Sequence, residues 1–238
     1  MITINAYSSE SMTHRTRCIA EYDFFTLWQF GPERAREMTR FVYDVYYPRF
    51  SGKYGWQGED YEKMTADDLE TMGHSIIYTA VNRTGSYLGT IRIIEKTDRT
   101  LPMERDFHLD ALEVCRSHGI SPHRIFEIAR FAKSSEEIQK AKLSIRQGMA
   151  VTDALIAHCV RLTSRERGNI WFASIDIHVL ELLRRRGFRF FPIGETVDYL
   201  GSPTTPVMLP IDRCREELRP RHPERYALYF EEIGDIAA

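Results

Sequence analysis

The 238-residue chain contains no apolar run approaching the ~18 residues that a membrane-crossing helix needs. Residues 1–17 are polar and rich in Ser and Thr, which excludes the basic-then-apolar pattern of a secretory leader and reads as a flexible tail. Cysteine is sparse: Cys18, Cys115, Cys159 and Cys214 are scattered, with no CxxC pair and no Cys/His ligand spacing. That pattern excludes a disulfide framework, argues against a zinc or other metal site, and predicts free thiols in a reducing cytoplasm. An excess of charge is also missing. With 32 Lys and Arg against 34 Asp and Glu, nothing draws the chain as a whole to nucleic acid or to a membrane surface. The eight histidines are dispersed, and none stands beside a Ser or Cys in a local hydrolase signature. No internal repeat, low-complexity tract or linker divides the remainder.

What is present reads as one α/β domain over 18–238 on a mixed sheet. Pro32 starts a helical pattern whose stripe of Met38, Phe41, Val42, Val45 and Tyr46 ends before Pro48. Residues 51–68 read as a loop carrying the aromatics Tyr54, Trp56 and Tyr61. Strands at 75–81 and 87–94 form a hairpin around Asn82-Arg-Thr-Gly85, and short helical pieces fill 101–115. A strong amphipathic helix spans 148–162, with Val151, Leu155, Cys159 and Leu162 on its buried face. Strand 170–175 follows, then a short helix capped by Asp176 and stopped by Gly187. Strands at 188–191 and 206–211 close the sheet, and a charged helical tail covers 213–238.

The most informative stretch is Arg124-Ile-Phe-Glu-Ile-Ala-Arg-Phe-Ala-Lys-Ser134, an apolar strand interrupted by Glu127 and Arg130. Charged side chains in a core strand are rarely buried unless paired. The plainer reading is a structural ion pair or an edge strand with wet ends. Residues three apart point to opposite faces of a regular strand, so Glu127 and Arg130 share a site only across a bulge. A second cation, Arg92, sits among apolar neighbours in the strand 87–94. Downstream, Arg146-Gln-Gly148-Met-Ala150 opens the amphipathic helix, and small residues at 148 and 150 suit a close backbone approach to phosphate at a helix start.

Strand, glycine-started helix, strand, and a short helix ending in Arg-Gly-Phe at 186–188 together resemble the closing half of the Gcn5-related N-acetyltransferase (GNAT) superfamily. Ile145 stands where that superfamily carries Arg or Gln. Within it, Glu127-Ile-Ala-Arg-Phe131 and Gly89-Thr-Ile-Arg92 resemble strands of acyl-homoserine-lactone synthases and long-chain N-acyl amino acid synthases, with Ala129 in place of a serine. Leu101-Pro-Met-Glu104 with Phe107, and Tyr199-Leu-Gly with Pro206-Val-Met-Leu209, resemble further segments of those enzymes. The resemblance implies a mostly antiparallel central sheet flanked by helices and splayed at the acyl-donor groove. It places an acceptor half at 18–115 and a donor half at 116–212.

By the same resemblance, Trp56, Asp67, Glu70 and Arg92 belong to the acceptor side, Arg92 and Arg130 binding the acceptor's carboxylate or holding acidic side chains such as Asp67 in place. Glu127 is the general base, directly or through a water, and Arg130 assists it. A backbone N–H of Phe131 or Ala132 stabilises the oxyanion. Phe107, Phe126 and Trp171 either wall an acyl pocket or belong to the plain core, while Arg146, Gly148 and Ala150 meet phosphopantetheine. No cofactor is held permanently; an acyl-phosphopantetheine thioester is co-substrate. Val42 falls where the lactone synthases carry an arginine, and Glu70 replaces an aspartate, so the acceptor is an amino acid or an S-adenosylmethionine-type amine.

Between Arg130 and Phe190, twelve Lys and Arg stand against six Asp and Glu, a local excess suited to an acidic acyl carrier protein and also to coenzyme A phosphates. The expected activity is N-acyl transfer to a small amine. An acetyl-CoA-dependent N-acetyltransferase and a non-catalytic acyl-binding module remain as alternatives.

Overall fold

The computed structural model describes residues 15–54, 60–199 and 201–231. Trp56 and most of the expected N-terminal tail lie outside the described residues. In chain order the elements are β1 (Arg17–Glu21), β2 (Phe25–Phe30), α1 (Ala35–Tyr54), α2 (Asp60–Glu70), β3 (Ser75–Asn82) and β4 (Tyr87–Glu95). Then come α3 (Pro102–Phe107), α4 (Ala111–Ser117), β5 (Ile125–Lys133), α5 (Ser135–Lys140), α6 (Ile145–Thr163) and β6 (Ile170–Asp176). The chain closes with α7 (Ile177–Arg185), β7 (Phe191–Pro192), β8 (Val197–Tyr199), β9 (Ser202–Pro210), α8 (Ile211–Arg221) and α9 (Pro223–Phe230).

These strands form one sheet in the order β1-β2-β3-β4-β5-β6-β9-β7, with β8 hairpinned onto β9. Every pairing among the described residues is antiparallel except β5 with β6. The resulting mixed, mostly antiparallel sheet is the one expected. β3 and β4 read as continuous apolar runs because both of their faces are covered. One face packs Tyr78, Leu88, Ile91 and Ile93 against Val151, Leu155 and Cys159 of α6. The other sets Ile77 against Met38 of α1 and, further along, Ile94, Ile125 and Phe172 against Leu101, Met103 and Cys115 around α3 and α4.

Five elements differ from expectation. β1 and β2 precede Pro32, where the sequence pattern had suggested no strand; β2 alternates buried Phe25, Leu27 and Gln29, and the polar Gln29 masks the period. α1 runs past Pro48, which removes only the N–H that would bond the Asp44 carbonyl. The expected loop at 51–68 is largely helix: Met64, Thr65 and Asp68, with Thr71 and Met72 beyond the end of α2, fall on one buried face. At 188–191 only Phe191 pairs with β9, because Phe188 turns inward to pack on Tyr229, centroids 5.0 Å apart.

The helix stop at Gly187 is as expected. Its φ is +90°, its N–H and that of Phe188 bond back to Arg184 and Leu183, and a Cβ there would lie 2.5 Å from Leu218.

Candidate active site

β5 and β6 pair in parallel only from Ile125–Ile170 to Glu127–Phe172, and beyond Glu127 they diverge. The gap opens into a cavity of about 280 Å³. One limb is apolar, walled by Ile156, Trp171, Ile175, Leu183, Phe188 and Phe190; the other carries Asp67, Asp68, Glu127, Arg130 and Tyr199.

The other edge of β5 carries the bulge that the three-residue spacing required. Thr90 pairs with Ala132 but Arg92 pairs with Ala129, so Ile91 alone faces Arg130 and Phe131. Arg130 adopts φ +53°, a left-handed conformation that costs a non-glycine residue about 1 kcal/mol or more. Lys96 N–H bonds the Ile125 carbonyl, and Ser134 N–H bonds the Leu88 carbonyl, which fixes which β5 residues face β4. Counting back by twos from Ser134, Ala132 faces β4 and the backbone of Phe131 turns towards the cleft. The Phe131 carbonyl there accepts a 3.0 Å hydrogen bond from the Tyr46 hydroxyl of α1.

The charged limb is organised around Asp68, which the sequence pattern did not single out. Its carboxylate accepts from Arg92 Nη1 at 2.7 Å, Arg130 Nε at 2.9 Å and Thr39 Oγ1 at 2.6 Å. Burial pushes its pKa up, but the two guanidinium groups overcome that and hold it below the ordinary aspartate value. Arg92, 2% exposed, also donates to the Asp68 carbonyl, Thr71 Oγ1 and Ser75 Oγ. Burial lowers its pKa to about 10 although Asp68 favours the cation. So Arg92 is sealed behind the site and anchors Asp68 rather than reaching an acceptor. Arg130 keeps 15% of its side chain exposed and lines the cavity.

Of the two expected acidic residues, Asp67 lines the cavity and is gripped by both Arg105 terminal nitrogens at 2.9 Å. Glu70 is exposed, away from the cavity, and its carbonyl accepts from Arg99. A helix beginning at 60 puts Asp68, not Glu70, on the inward face; the loop reading of this segment hid that. Arg105 also binds Asp106, whose carboxylate accepts the Tyr199 hydroxyl. Asp67, Arg105, Asp106 and Tyr199 therefore tie α2, α3 and the β8–β9 hairpin together beside Glu127.

Glu127 is 4% exposed. Burial raises its pKa to about 7, against the Met103 N–H that donates to Oε2 at 3.1 Å and the nearby Arg130, and with Asp106 adding to the rise. A carboxyl poised near neutrality is equipped to take a proton from an ammonium or amine.

The expected acyl walls divide. Trp171 lines the cavity, stacked on Phe188 at 6.2 Å and donating Nε1 to Thr163. Phe126 is buried in the main core, outside the cavity lining. Phe107 packs on Tyr199, centroids 5.3 Å apart, one layer behind the cavity. At the α6 start, Arg146 is exposed and Ala150 half-buried. Gly148 is buried, and its missing Cβ would point at Ile138, 3.5 Å away, so this glycine faces α5 rather than a ligand. Ser144 and Gln147 form a capping box that occupies the Ser144 and Gln147 amides, and the Gly148 amide bonds Ser144 O. Among the described residues no cluster of His, Cys, Asp and Glu has metal-site geometry, and no helix is long and apolar enough to cross a membrane.

No protein-family model matches the chain, and no curated protein matches it in sequence. Solved structures do match. FeeM, an N-acyl amino acid synthase from uncultured soil microbes, is 16% identical with a TM-score of 0.54, over 87% of this chain and 96% of that one. The AHL synthase LasI is 18% identical with a TM-score of 0.50, over 79% and 89%. BjaI, a CoA-dependent acyl-homoserine lactone synthase with SAM and isopentyl-CoA, is 14% identical with a TM-score of 0.51, over 79% and 80%. The chain has the fold of these acyltransferases.

Proposed function

We propose that the protein is an N-acyltransferase that moves a fatty acyl group from a phosphopantetheine thioester to the amine of an α-amino carboxylate, an amino acid or an S-adenosylmethionine-type acceptor. The observation that carries this reading is Glu127, buried in the lining of one cavity that carries both apolar and charged side chains, on the strand whose bulge lies three residues further on. The apolar limb takes the acyl chain. Arg130, whose Nε is held by Asp68, offers its remaining N–H groups to the acceptor carboxylate.

Glu127 takes the proton from the attacking nitrogen. The new C–N bond forms at the thioester carbonyl, the Phe131 N–H stabilises the oxyanion, and collapse releases the pantetheine thiolate, which is protonated by solvent. Ala132, facing β4, is the weaker of the two expected donors. Val42 is buried in one cluster with Tyr43, Met64 and Ala132, so this side of the acceptor limb is apolar where a lactone synthase carries a cation. That favours an ordinary amino acid as acceptor.

The donor is acyl carrier protein. Ile145 is 86% exposed and Met149 is exposed one turn on, with Lys142 and Arg146 beside them and in no ion pair among the described residues. An apolar pair inside a cationic rim suits an acidic helical partner. The α6 capping box already occupies two amides of the first turn, which weakens the helix start as a pyrophosphate grip.

The test is mass spectrometry of reactions containing the protein, octanoyl- or palmitoyl-acyl carrier protein, and either the twenty amino acids or S-adenosylmethionine. An N-acyl amino acid or lactone is the expected product. Folded protein that yields no acylated amine from any pairing would overturn the reading.

A further inference from the structure

Tyr46 was no more than a core residue of α1 in the sequence pattern, yet it occupies a junction in the structure. Its ring lines the cavity, and its hydroxyl donates across 85 residues of sequence to the carbonyl of Phe131, at 3.0 Å. That carbonyl belongs to the second bulge residue, directly after the left-handed Arg130. Left-handed backbone at a non-glycine residue persists only where surrounding contacts hold it. The structure shows two such holds. Asp68 of α2 grips the Arg130 side chain, and Tyr46 of α1 grips the next residue's backbone.

In an extended residue the N–H and C=O point to the same edge of the strand. Fixing the Phe131 carbonyl therefore also fixes the direction of the Phe131 N–H. Val42, one turn before Tyr46, belongs to the same buried cluster as Ala132, the residue after the bulge, and Tyr46 packs against that cluster. The first turns of contact between α1 and β5 thus combine one hydrogen bond, Tyr46 to Phe131, with a shared apolar cluster.

We propose that Tyr46 is a positioning residue for acyl transfer: its hydroxyl locks the β5 bulge so that the Phe131 N–H is aimed at the thioester carbonyl, coupling the acceptor helix α1 to the oxyanion site. The proposal rests on the acyl-transfer reading for its consequence, and on the geometry alone for the lock.

Two measurements on Tyr46→Phe, which keeps the ring and removes the hydroxyl, separate these. The first is amide hydrogen exchange of β5 by NMR. The lock predicts exchange about tenfold faster at 130–132 with the remainder of the sheet unchanged, from loss of one hydrogen bond. Unchanged exchange there overturns the proposal whether or not the protein is an acyltransferase. The second is thiol release from octanoyl-pantetheine, with and without the amino acid mixture.

A loosened oxyanion donor predicts that hydrolysis and aminolysis both slow about tenfold in kcat, with KM for the thioester unchanged. A rise in acceptor KM alone, with hydrolysis intact, would overturn the positioning role and make Tyr46 an acceptor contact. A wild-type protein that cleaves no thioester at all refutes the acyl-transfer reading, and the exchange experiment then decides the lock by itself. Tyr46→Leu, which also removes the ring, is expected to lower thermal stability as well. If its kcat loss equals that of Tyr46→Phe, the hydroxyl accounts for the effect on turnover. A much larger loss for Tyr46→Leu, with Tyr46→Phe near wild type, overturns it.

Discussion

Glu127 is a carboxyl whose surroundings favour the neutral form. Asp68 has two guanidinium partners and stays ionised, whereas Glu127 has one backbone N–H, deep burial and the Asp106 carboxylate nearby. This has a consequence for stability as well as for catalysis. With a folded pKa of about 7 against about 4.5 unfolded, the native state binds the extra proton between those values, so stability falls as pH rises through that window. The loss amounts to about 3 kcal/mol and is complete above pH ~7. Glu127→Gln removes the titration. The variant is expected to match wild type in denaturant unfolding near pH 5 and to be more stable at pH 8, while kcat falls about 10²- to 10⁴-fold. A stability difference that does not change with pH would mean Glu127 ionises normally. In wild type, kcat/KM is expected to rise with pH through a midpoint near 7.

At this scale the sequence was legible where a charge interrupted an apolar strand, as at Glu127, Arg130 and Arg92. It was not legible at Asp68, because an aspartate beside another aspartate in a polar segment carries no mark of burial until the helix is known.

Among the elements, β5 was readable in most detail, since a three-residue spacing of two charges demanded a bulge and the register shift lies there. α2 was misread for the converse reason. Its inward face carries Thr65 and Asp68, polar residues buried by pairing and backbone bonding, and a hydrophobic period cannot register them. α6 covers the expected 148–162 but begins three residues earlier, at Ile145, and the surroundings of its glycine were not legible. A glycine at a helix start looks the same in sequence whether a phosphate or a neighbouring helix approaches it. Here the neighbour is Ile138, at ordinary contact distance for an added methyl. Gly148→Ala is therefore expected to stabilise the fold by about 0.5–1 kcal/mol, as alanine does in a helix without a clash, and to leave the donor KM unchanged. A raised donor KM with preserved stability would restore Gly148 to the phosphopantetheine path.

At the level of the whole molecule, near-neutral net charge conceals an uneven distribution, and burial redistributes it again. The basic excess from Arg130 to Phe190 is reduced by internal pairing: Arg186 binds Asp153, Arg185 binds Glu181, and Lys140 binds Glu136 and Glu137. A count of charges overstates the cationic surface for this reason. What it leaves by the α6 start is compact, with Lys142 and Arg146 around the exposed Ile145 and Met149. If an acidic carrier protein docks there, the protein should distinguish its donor by surface and not only by thioester. Ile145→Asp combined with Arg146→Glu is expected to raise KM for octanoyl-acyl carrier protein about tenfold or more, by like-charge repulsion and loss of the apolar contact. Octanoyl-pantetheine, which has no carrier surface, should be turned over at the wild-type rate. Raising ionic strength from about 50 to about 300 mM should weaken turnover by the wild-type protein with the carrier protein and not with the pantetheine thioester, because screening acts on exposed charges. Equal effects of the double substitution on both donors would place Ile145 and Arg146 at the thioester arm itself and leave carrier docking to another face.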